Sequence, residues 1–432
     1  NFDIQEFNKN RKQISEVFFL ISKNVEIAGW VHNTRALGKI RFIVLRDISG
    51  VIQVTGVKGK ISDEVFESMD NVSRESLVYI KGIIQESKQA PGGKEVIPEE
   101  FVILNKADEL PIDVSDFSKT ELPKRIDYRF LDLHRSRIQA IFKIQAEIAK
   151  AFREHFYNKG FIEVQLPSII SSSSEGGTDL FKVEYIKKKA YLAQSPQLYK
   201  QMLACSMEKV FTITPVWRAE KHNTTRHLNE ARQMDIEIAF ADQFIAMKEL
   251  EEVVKYIVKS VIKTCKKEIE LLELDLKVPD IKYISYNETC ELLGIKYGED
   301  LSPENEKQLD KEFPNSIVFV HSWPVDLKPF YIMPQNQDVE TELSEGFDAI
   351  YRGLEITSGG QRVHIPEVLE KMLKKKGLNP KNFKGYIDSF RFGAPPHAGW
   401  SIGIERITQL IVQEKNIREA VLFPRDRDRL TP

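Results

Sequence analysis

Three stretches of the chain carry side chains suited to holding a polyphosphate. The first is Trp217-Arg218-Ala219-Glu220, followed by a loop that concentrates Lys221, His222, Arg226 and His227. Arginine offers a planar, always charged fork that matches phosphate oxygens. A solvated charged hairpin would account for the loop, but not for Arg218 at the end of an apolar strand. The second stretch is residues 353–364, where Glu355 and Ser358 stand three apart. Their oxygens suit Mg²⁺ on a polyphosphate. Gly359-Gly360 permits close backbone approach and Arg362 adds a cation, although a Gly-Gly turn after a strand is an ordinary feature. The third stretch is residues 395–406, a glycine-punctuated strand leading into a helix whose first turn carries Glu405 and Arg406. Arg406 could meet a terminal phosphate, or simply lie beside a tight strand-to-helix contact. The sequence has no Gly-rich phosphate loop of the Walker or Rossmann type, no nucleophile elbow and no zinc spacing. Any nucleotide must therefore be held by side chains.

These stretches need a scaffold, and the hydrophobic pattern suggests one. Residues 24–31, 40–46 and 51–57 alternate as strands, 61–69 read as a helix, and 76–84 and 95–104 read as strands around the turn Ala90-Pro91-Gly92-Gly93. That order is the order of an OB-fold barrel, a fold that commonly binds single-stranded oligonucleotides, and a generic small barrel fits the same pattern. Residues 108–124 contain Pro111, Pro123 and many charges without a period, as a linker would. Beyond them Ile138, Ile141, Phe142, Ile148, Phe152 and Phe156 recur at helical steps, and a short strand ends at Pro167. Strands at 210–219, 234–241, 317–321, 347–355 and 400–404 then interleave irregularly with helices at 246–266 and 406–413. Such a mixture argues for an antiparallel or mixed sheet flanked by helices.

Composition sets the outer bounds. A chain of 432 residues exceeds what one core usually organises, so two or three domains are expected. Hydrophobic residues at 42% and charged residues at 29% exclude disorder and collagen-like structure as overall descriptions. No apolar run approaches the roughly 20 residues of a membrane helix, so no membrane partner is expected. The polar start at residues 1–12 lacks a signal-peptide stretch. Cys205, Cys265 and Cys290 have no metal-ligand spacing, which fits a reducing, cytoplasmic setting. The formal net charge of -2 excludes a small, wholly basic nucleic-acid binder, but not a large enzyme with a local cationic face.

Taken in order, the motifs resemble one family. The helix–strand–proline unit ending at Pro167 looks like motif 1 of class II aminoacyl-tRNA synthetases; Arg218-Ala219-Glu220 with Arg226-His227 resembles motif 2; residues 399–406 resemble motif 3. The barrel and Gln194-Ser195-Pro196-Gln197-Leu198-Tyr199-Lys200 point to the aspartyl, asparaginyl and lysyl subgroup, and most closely to aspartyl-tRNA synthetases of the archaeal and eukaryotic kind. The resemblance implies an α+β fold: an N-terminal OB-fold anticodon-binding domain at 1–107, a linker at 108–136, and a class II catalytic domain at 137–432 on an antiparallel sheet flanked by helices, with an insertion at about 270–340. It further implies a homodimer formed through motif 1.

The same resemblance assigns roles. Arg218 and Arg406 act on ATP, with Glu220, Arg226, His227 and Glu355 as further ATP contacts and Glu355 and Ser358 as Mg²⁺ ligands. Glu175, in a serine- and glycine-rich lid, together with Ser195, Gln197 and Asp235, faces the ammonium of the amino acid. Lys200 and Arg362 hold its side-chain carboxylate. An anion leaving water needs such cations, whereas a neutral amide gains little from the lysine. L-aspartate is thus the implied substrate and tRNA(Asp) the acceptor, with tRNA(Asn) a further acceptor that His32 and the Pro91 turn resemble. Arg35, Phe42 and Gln53 would read the anticodon. The rivals are an asparaginyl-tRNA synthetase, a non-charging paralogue and a plain single-strand binder. Two positions depart from the family pattern: Ala231 stands where a phenylalanine often stacks on adenine, and Ser401 where motif 3 usually has glycine.

Overall fold

The computed structural model describes residues 3–171 and 179–432. The chain divides into two compact units, one running to Thr120 and the other starting at Glu121.

The first unit is a closed barrel. Its strands are β1 (Asn24–Leu37), β2 (Ile40–Arg46), β3 (Val51–Val57), β4 (Leu77–Glu86) and β5 (Lys94–Asn105), in the spatial order β1-β2-β3-β5-β4. Alternation drives closure: Ile27, Val31, Ile43, Leu45, Ile52, Val54, Val78 and Ile80 point inward and are buried. The helix Asp63–Asn71, capped by the Ser62 hydroxyl on the Val65 amide, adds Val65 and Met69 to that core. Strand–helix–strand order and barrel closure are as the pattern predicts.

The second unit is built on an eight-stranded sheet. Along the chain come β6 (Ile162–Glu163), β7 (Ile169–Ile170), β8 (Lys182–Tyr185), β9 (Lys188–Leu192), β10 (Lys209–Trp217), β11 (Glu230–Ala239), β12 (Asp280–Ser285), β13 (Ser316–His321), β14 (Gly346–Tyr351), β15 (Leu354–Gln361) and β16 (His397–Gly403). The main sheet runs β12-β13-β14-β15-β16-β11-β10-β6, and β7-β9-β8 form a small side sheet. The interior pairs are antiparallel, while β12/β13 and β10/β6 at the two edges are parallel. The α+β class therefore holds, with a sheet mixed at its edges.

One face of this sheet is covered by the helices Ser136–Asn158 and Gln243–Thr264. Ile141, Ile148 and Phe152 from the first and Leu250, Val254 and Val258 from the second pack with Phe211, Ile236 and Trp400 of the strands. Removing those apolar side chains from water is the main stabilising term. The Trp400 indole also donates to the Ala246 carbonyl at 2.9 Å. In β11, Met234, Ile236 and Ile238 face this core, so Gln233, Asp235 and Glu237 must face the other way.

Residues 108–136 do not form a separate spacer. Residues from 121 onward fold as the helices Leu122–Asp127 and Arg129–Asp132 within the second unit. Buried Arg129 donates to the carbonyls of Arg418, Glu419, Val421 and Leu422, and Arg125 pairs with both Asp132 and Glu419. Residues 270–340 likewise add to the main sheet, supplying edge strands β12 and β13 and the helix Pro303–Glu312.

Candidate active site

On the face of the sheet away from the helices lies a cavity of about 350 Å³. Strands β10, β11, β15 and β16 converge on it through Val216, Gln233, Glu355, Thr357, Ser401 and Gly403. Arg218, Glu220, Arg226 and His227 reach it from the loop after β10, and Arg406 from the first turn of the helix Ile404–Ile411. Ser195, Gln197 and Arg362 complete the wall. All three polyphosphate-binding candidates from the sequence thus meet in one place. Glu175 lies outside the described residues.

Arg218 is half-exposed, and its nearest acid is Glu220 at 4.0 Å. Arg406 is oriented by one bond, donating from Nη1 to the Glu355 carbonyl at 2.9 Å. Arg226 is paired, donating to Glu306 at 3.2 Å, and Glu306 also accepts from the Glu355 amide at 3.1 Å. The His227 Nδ1 lies 2.5 Å from the Thr224 hydroxyl, with Nε2 3.7 Å from Glu220. Exposed Arg218 and part-buried Arg406 therefore remain available to an anion, and two further groups define the edge.

The Glu355 carboxylate accepts no hydrogen bond among the described residues. Burial and the neighbouring Asp348 push its pKa well above the usual carboxylate range, against the pull of Arg406 and Lys328. Ser358 lies opposite Asp348 in the β14/β15 register and is exposed. Asp348 itself is engaged by Lys328, whose ammonium donates to both of its oxygens at 2.6 Å. A free, electrostatically crowded carboxylate beside a free hydroxyl is an oxygen donor set that fits Mg²⁺.

Behind the cavity wall sits a buried ionic network. Lys200 donates to Asp235 Oδ1 at 2.8 Å and to the Trp400 carbonyl at 3.1 Å, and lies 3.5 Å from Glu237. Arg362 grips Glu237 with Nε at 2.8 Å and Nη2 at 3.2 Å. Burial would raise the Glu237 pKa, but Arg362 and then Lys200 hold it below the ordinary value. Asp235 spends its second oxygen on the Ser401 hydroxyl at 3.1 Å. The serine that departs from the family pattern thus anchors a site carboxylate. Lys200 and Asp235 are each about 1% exposed, so they approach the cavity through Arg362 and Ser401 rather than lining it. Arg362 Nη1 has no hydrogen bond among the described residues.

Two neighbours tighten this network. Gln197 donates to Gln201 at 2.8 Å, and Gln201 contacts Tyr386 and His397. Gly399 lets β16 run against Glu237: a Cβ there would fall 2.3 Å from Glu237 Oε2. Glu237, Glu306 and Asp348 were missed by sequence reasoning. Only Glu237 had a legible signal, since it follows Asp235 by two on a strand and so shares its face. Ala231 lines the cavity and brings no ring to it.

The barrel carries a second groove, of about 490 Å³, lined by Arg35, Phe42, Gln53, Thr55 and Glu95 among others. Arg35 and Phe42 are paired across β1 and β2. Gln53 donates to Glu95 at 2.9 Å and to Thr55 at 3.1 Å, which fixes the orientation of its amide. Buried Glu95, also missed, accepts from Gln85 at 3.0 Å as well.

A barrel of this order, joined to an antiparallel sheet that presents arginines from a strand end and a helix start, defines a class II aminoacyl-tRNA synthetase. Residues 121–427 match the tRNA synthetases class II (D, K and N), and residues 25–104 match the OB-fold nucleic acid binding domain. The chain belongs to this D, K and N family of class II synthetases. It is 46% identical over 419 residues to the aspartate–tRNA(Asp/Asn) ligase of Methanocaldococcus jannaschii, covering 95% of each chain. It is 44% identical over 427 residues to the aspartate–tRNA(Asp) ligase of Pyrococcus furiosus, covering 96% of this chain and 97% of that one. The asparaginyl-tRNA synthetase of Pyrococcus horikoshii, solved with asparaginyl-adenylate, superposes with a TM-score of 0.93 at 34% identity, covering 98% of this chain and 99% of that one.

Proposed function

We propose that this chain is an aspartate–tRNA ligase. It activates L-aspartate with ATP and transfers the aspartyl group to the 3′ end of tRNA(Asp). The observation that carries the substrate assignment is the pair of buried cations, Arg362 in the cavity wall and Lys200 in the ionic network directly behind it. An anionic side chain stripped of water gains from both, and a neutral amide gains less. Two relatives named as aspartate–tRNA ligases, at 46% and 44% identity, support the same reading over the asparaginyl alternative.

In the first step the α-carboxylate of aspartate attacks the α-phosphate of ATP in line, releasing pyrophosphate. In the second, the terminal ribose hydroxyl of the tRNA attacks the acyl carbon of the aspartyl-adenylate and takes the aspartyl group, releasing AMP. No covalent enzyme intermediate is needed, so the protein contributes position and charge. Arg218 spans the α-phosphate and the amino-acid carboxylate. Arg406, with Arg226 and His227, holds the β and γ phosphates. Glu220 orients the adenine or the tRNA end. Ser195 and Gln197 face the ammonium from the cavity wall, with Asp235 behind Ser401 and Glu175 as a further contact expected from the family resemblance. Glu355 and Ser358 would hold Mg²⁺, which when bound neutralises phosphate charge as a Lewis acid.

The barrel groove reads the anticodon: Phe42 offers a platform for an unstacked base, Gln53 an oriented amide, and Arg35 a cation. His32, next to the groove residue Asn33, and Pro91, two residues from the groove residue Gln89, favour a wider acceptor range that includes tRNA(Asn). The enzyme works as a homodimer through the motif 1 unit and resides in the cytoplasm; among the described residues no helix is long and apolar enough to cross a membrane. Aspartylation of separate tRNA(Asp) and tRNA(Asn) transcripts tests the acceptor range. Charging of neither would overturn the ligase reading.

A further inference from the structure

The β8–β9 hairpin is built unlike the rest of the second unit. Its two-residue tip is Ile186-Lys187, and Ile186 has a φ of +53°. That conformation is uncommon for any residue with a side chain and unfavourable for a β-branched one. Ile186 is also 93% exposed. A strained, exposed isoleucine at a turn is poorly explained by stability, because glycine or asparagine would serve the turn better.

Charge gathers around this tip. Lys182, Lys187, Lys188 and Lys189 are all exposed, against a single acid on the hairpin, Glu184. None of the four lysines forms an ion pair among the described residues. Tyr185, half-exposed, stands opposite Lys188 in the register. The chain as a whole has a net charge of -2, so this is a local concentration and not a reflection of bulk composition.

The hairpin is tied to the active site through its base. Strand β9 ends at Leu192, the Ala193 carbonyl accepts from the Trp217 amide at 2.9 Å, and Ser195 lines the cavity. Across the same base, the Asp179 carbonyl accepts from the Ala219 amide at 2.7 Å, next to Arg218. Seven residue steps of mostly extended chain lead from Lys188 to Ser195, a reach of at most about 25 Å.

We infer that this hairpin is a contact surface for the acceptor end of the tRNA. Its lysines meet backbone phosphates, and Tyr185 with Ile186 packs against the unstacked nucleotides that lead to the terminal ribose. Free lysines beside an exposed aromatic ring and an apolar tip form the combination that single-stranded nucleic acid requires, since phosphate supplies the charge and each base supplies a face for stacking. The inference rests on the ligase reading for the identity of the nucleic acid. It concerns tRNA alone, and the amino-acid and ATP sites do not involve these side chains.

The test uses the full-length protein with Lys187→Glu and Lys188→Glu combined, and Ile186→Gly as a second variant suited to the positive φ. Three quantities are measured: ATP–pyrophosphate exchange without tRNA, the Kd for a tRNA(Asp) transcript at several salt concentrations, and kcat/KM for that tRNA in aspartylation. The expected result is unchanged exchange in both variants. The lysine variant should lose tenfold or more in tRNA kcat/KM, with a salt dependence of binding shallower by about one to two in log–log slope. Ile186→Gly should lower kcat/KM for tRNA about threefold with the salt slope preserved. Unchanged tRNA binding and charging would overturn the inference, as would an equal loss of exchange and charging, which marks a structural role. Failure of the wild-type protein to exchange with L-aspartate would sink the ligase reading instead, and the binding measurement would still decide the role of the hairpin.

Discussion

Glu237 and Arg362 face each other as a two-bonded pair, Nε to Oε1 at 2.8 Å and Nη2 to Oε2 at 3.2 Å, both buried, with Arg362 in the cavity wall and Glu237 behind it. Among the described residues the contact leaves Nη1 of the guanidinium as its uncommitted edge. On the proposed reading, Arg362 meets a substrate carboxylate in an orientation set by a residue outside the cavity wall. Glu237→Asp keeps the charge and shortens the side chain by one carbon, so any effect reads geometry. It should lower kcat/KM for aspartate by about ten- to a hundredfold, with the KM for ATP almost unchanged. Exchange kinetics with each substrate varied separately would check this.

Lys200 neutralises two buried acids, so its removal has two consequences. Lys200→Leu leaves Asp235 and Glu237 with one cation fewer, at a cost to stability of about 3–5 kcal/mol. It should also weaken aspartate activation far more than ATP binding. Thermal unfolding with exchange kinetics separates the two effects. An unchanged KM for aspartate in a folded variant would remove Lys200 from the specificity role.

The raised pKa of Glu355 gives Mg²⁺ dependence a definite pH sign. Below that pKa the carboxyl carries a proton that a cation must displace; above it the proton is already gone. Apparent Mg²⁺ affinity in the exchange reaction should thus fall by about tenfold per unit as pH drops below the Glu355 pKa, and level off above it. Glu355→Gln should abolish the slope. Mg²⁺ titrations between pH 5.5 and 8.5 would show whether it does.

The barrel groove should act on tRNA without touching activation. Phe42→Ala removes the aromatic platform and should lower kcat/KM for tRNA by about tenfold, in line with ~1–3 kcal/mol per stacked base. Exchange without tRNA should be unaffected. Comparing exchange and aspartylation in the same preparation measures both.

Arg129 holds the C-terminal segment of the second unit through four carbonyls, and pairs with Asp132 at 2.8 Å. Arg129→Met should destabilise the unit by about 3–5 kcal/mol, because Asp132 and the carbonyls lose a buried partner. Denaturant unfolding monitored on this variant gives the value.

Local pattern was enough for the barrel, the two long helices and the placement of Arg218, Glu355 and Arg406, because each depends on spacing within one segment. What escaped was decided by distant partners. Residues 121–136 read as a linker, since Arg125, Arg129 and Asp132 form no apolar period; their burial depends on Glu419, nearly three hundred residues away. Lys200 was legible as a motif residue, but its saturation by Asp235, Glu237 and the Trp400 carbonyl depends on how β11 and β16 pair. Glu306 and Lys328 reach the cavity region from the edge of the sheet and follow no signal near the motifs. The side-sheet tip at Ile186 has no hydrophobic pattern of its own, and only its backbone angle and exposure mark it.

The most direct test is ATP–pyrophosphate exchange by the purified protein with L-aspartate or L-asparagine as the sole amino acid. Exchange that depends on aspartate and stays at background with equimolar asparagine is the predicted result. Equal exchange with both, or none with aspartate, would contradict the role given to Lys200 and Arg362 and with it the assigned substrate.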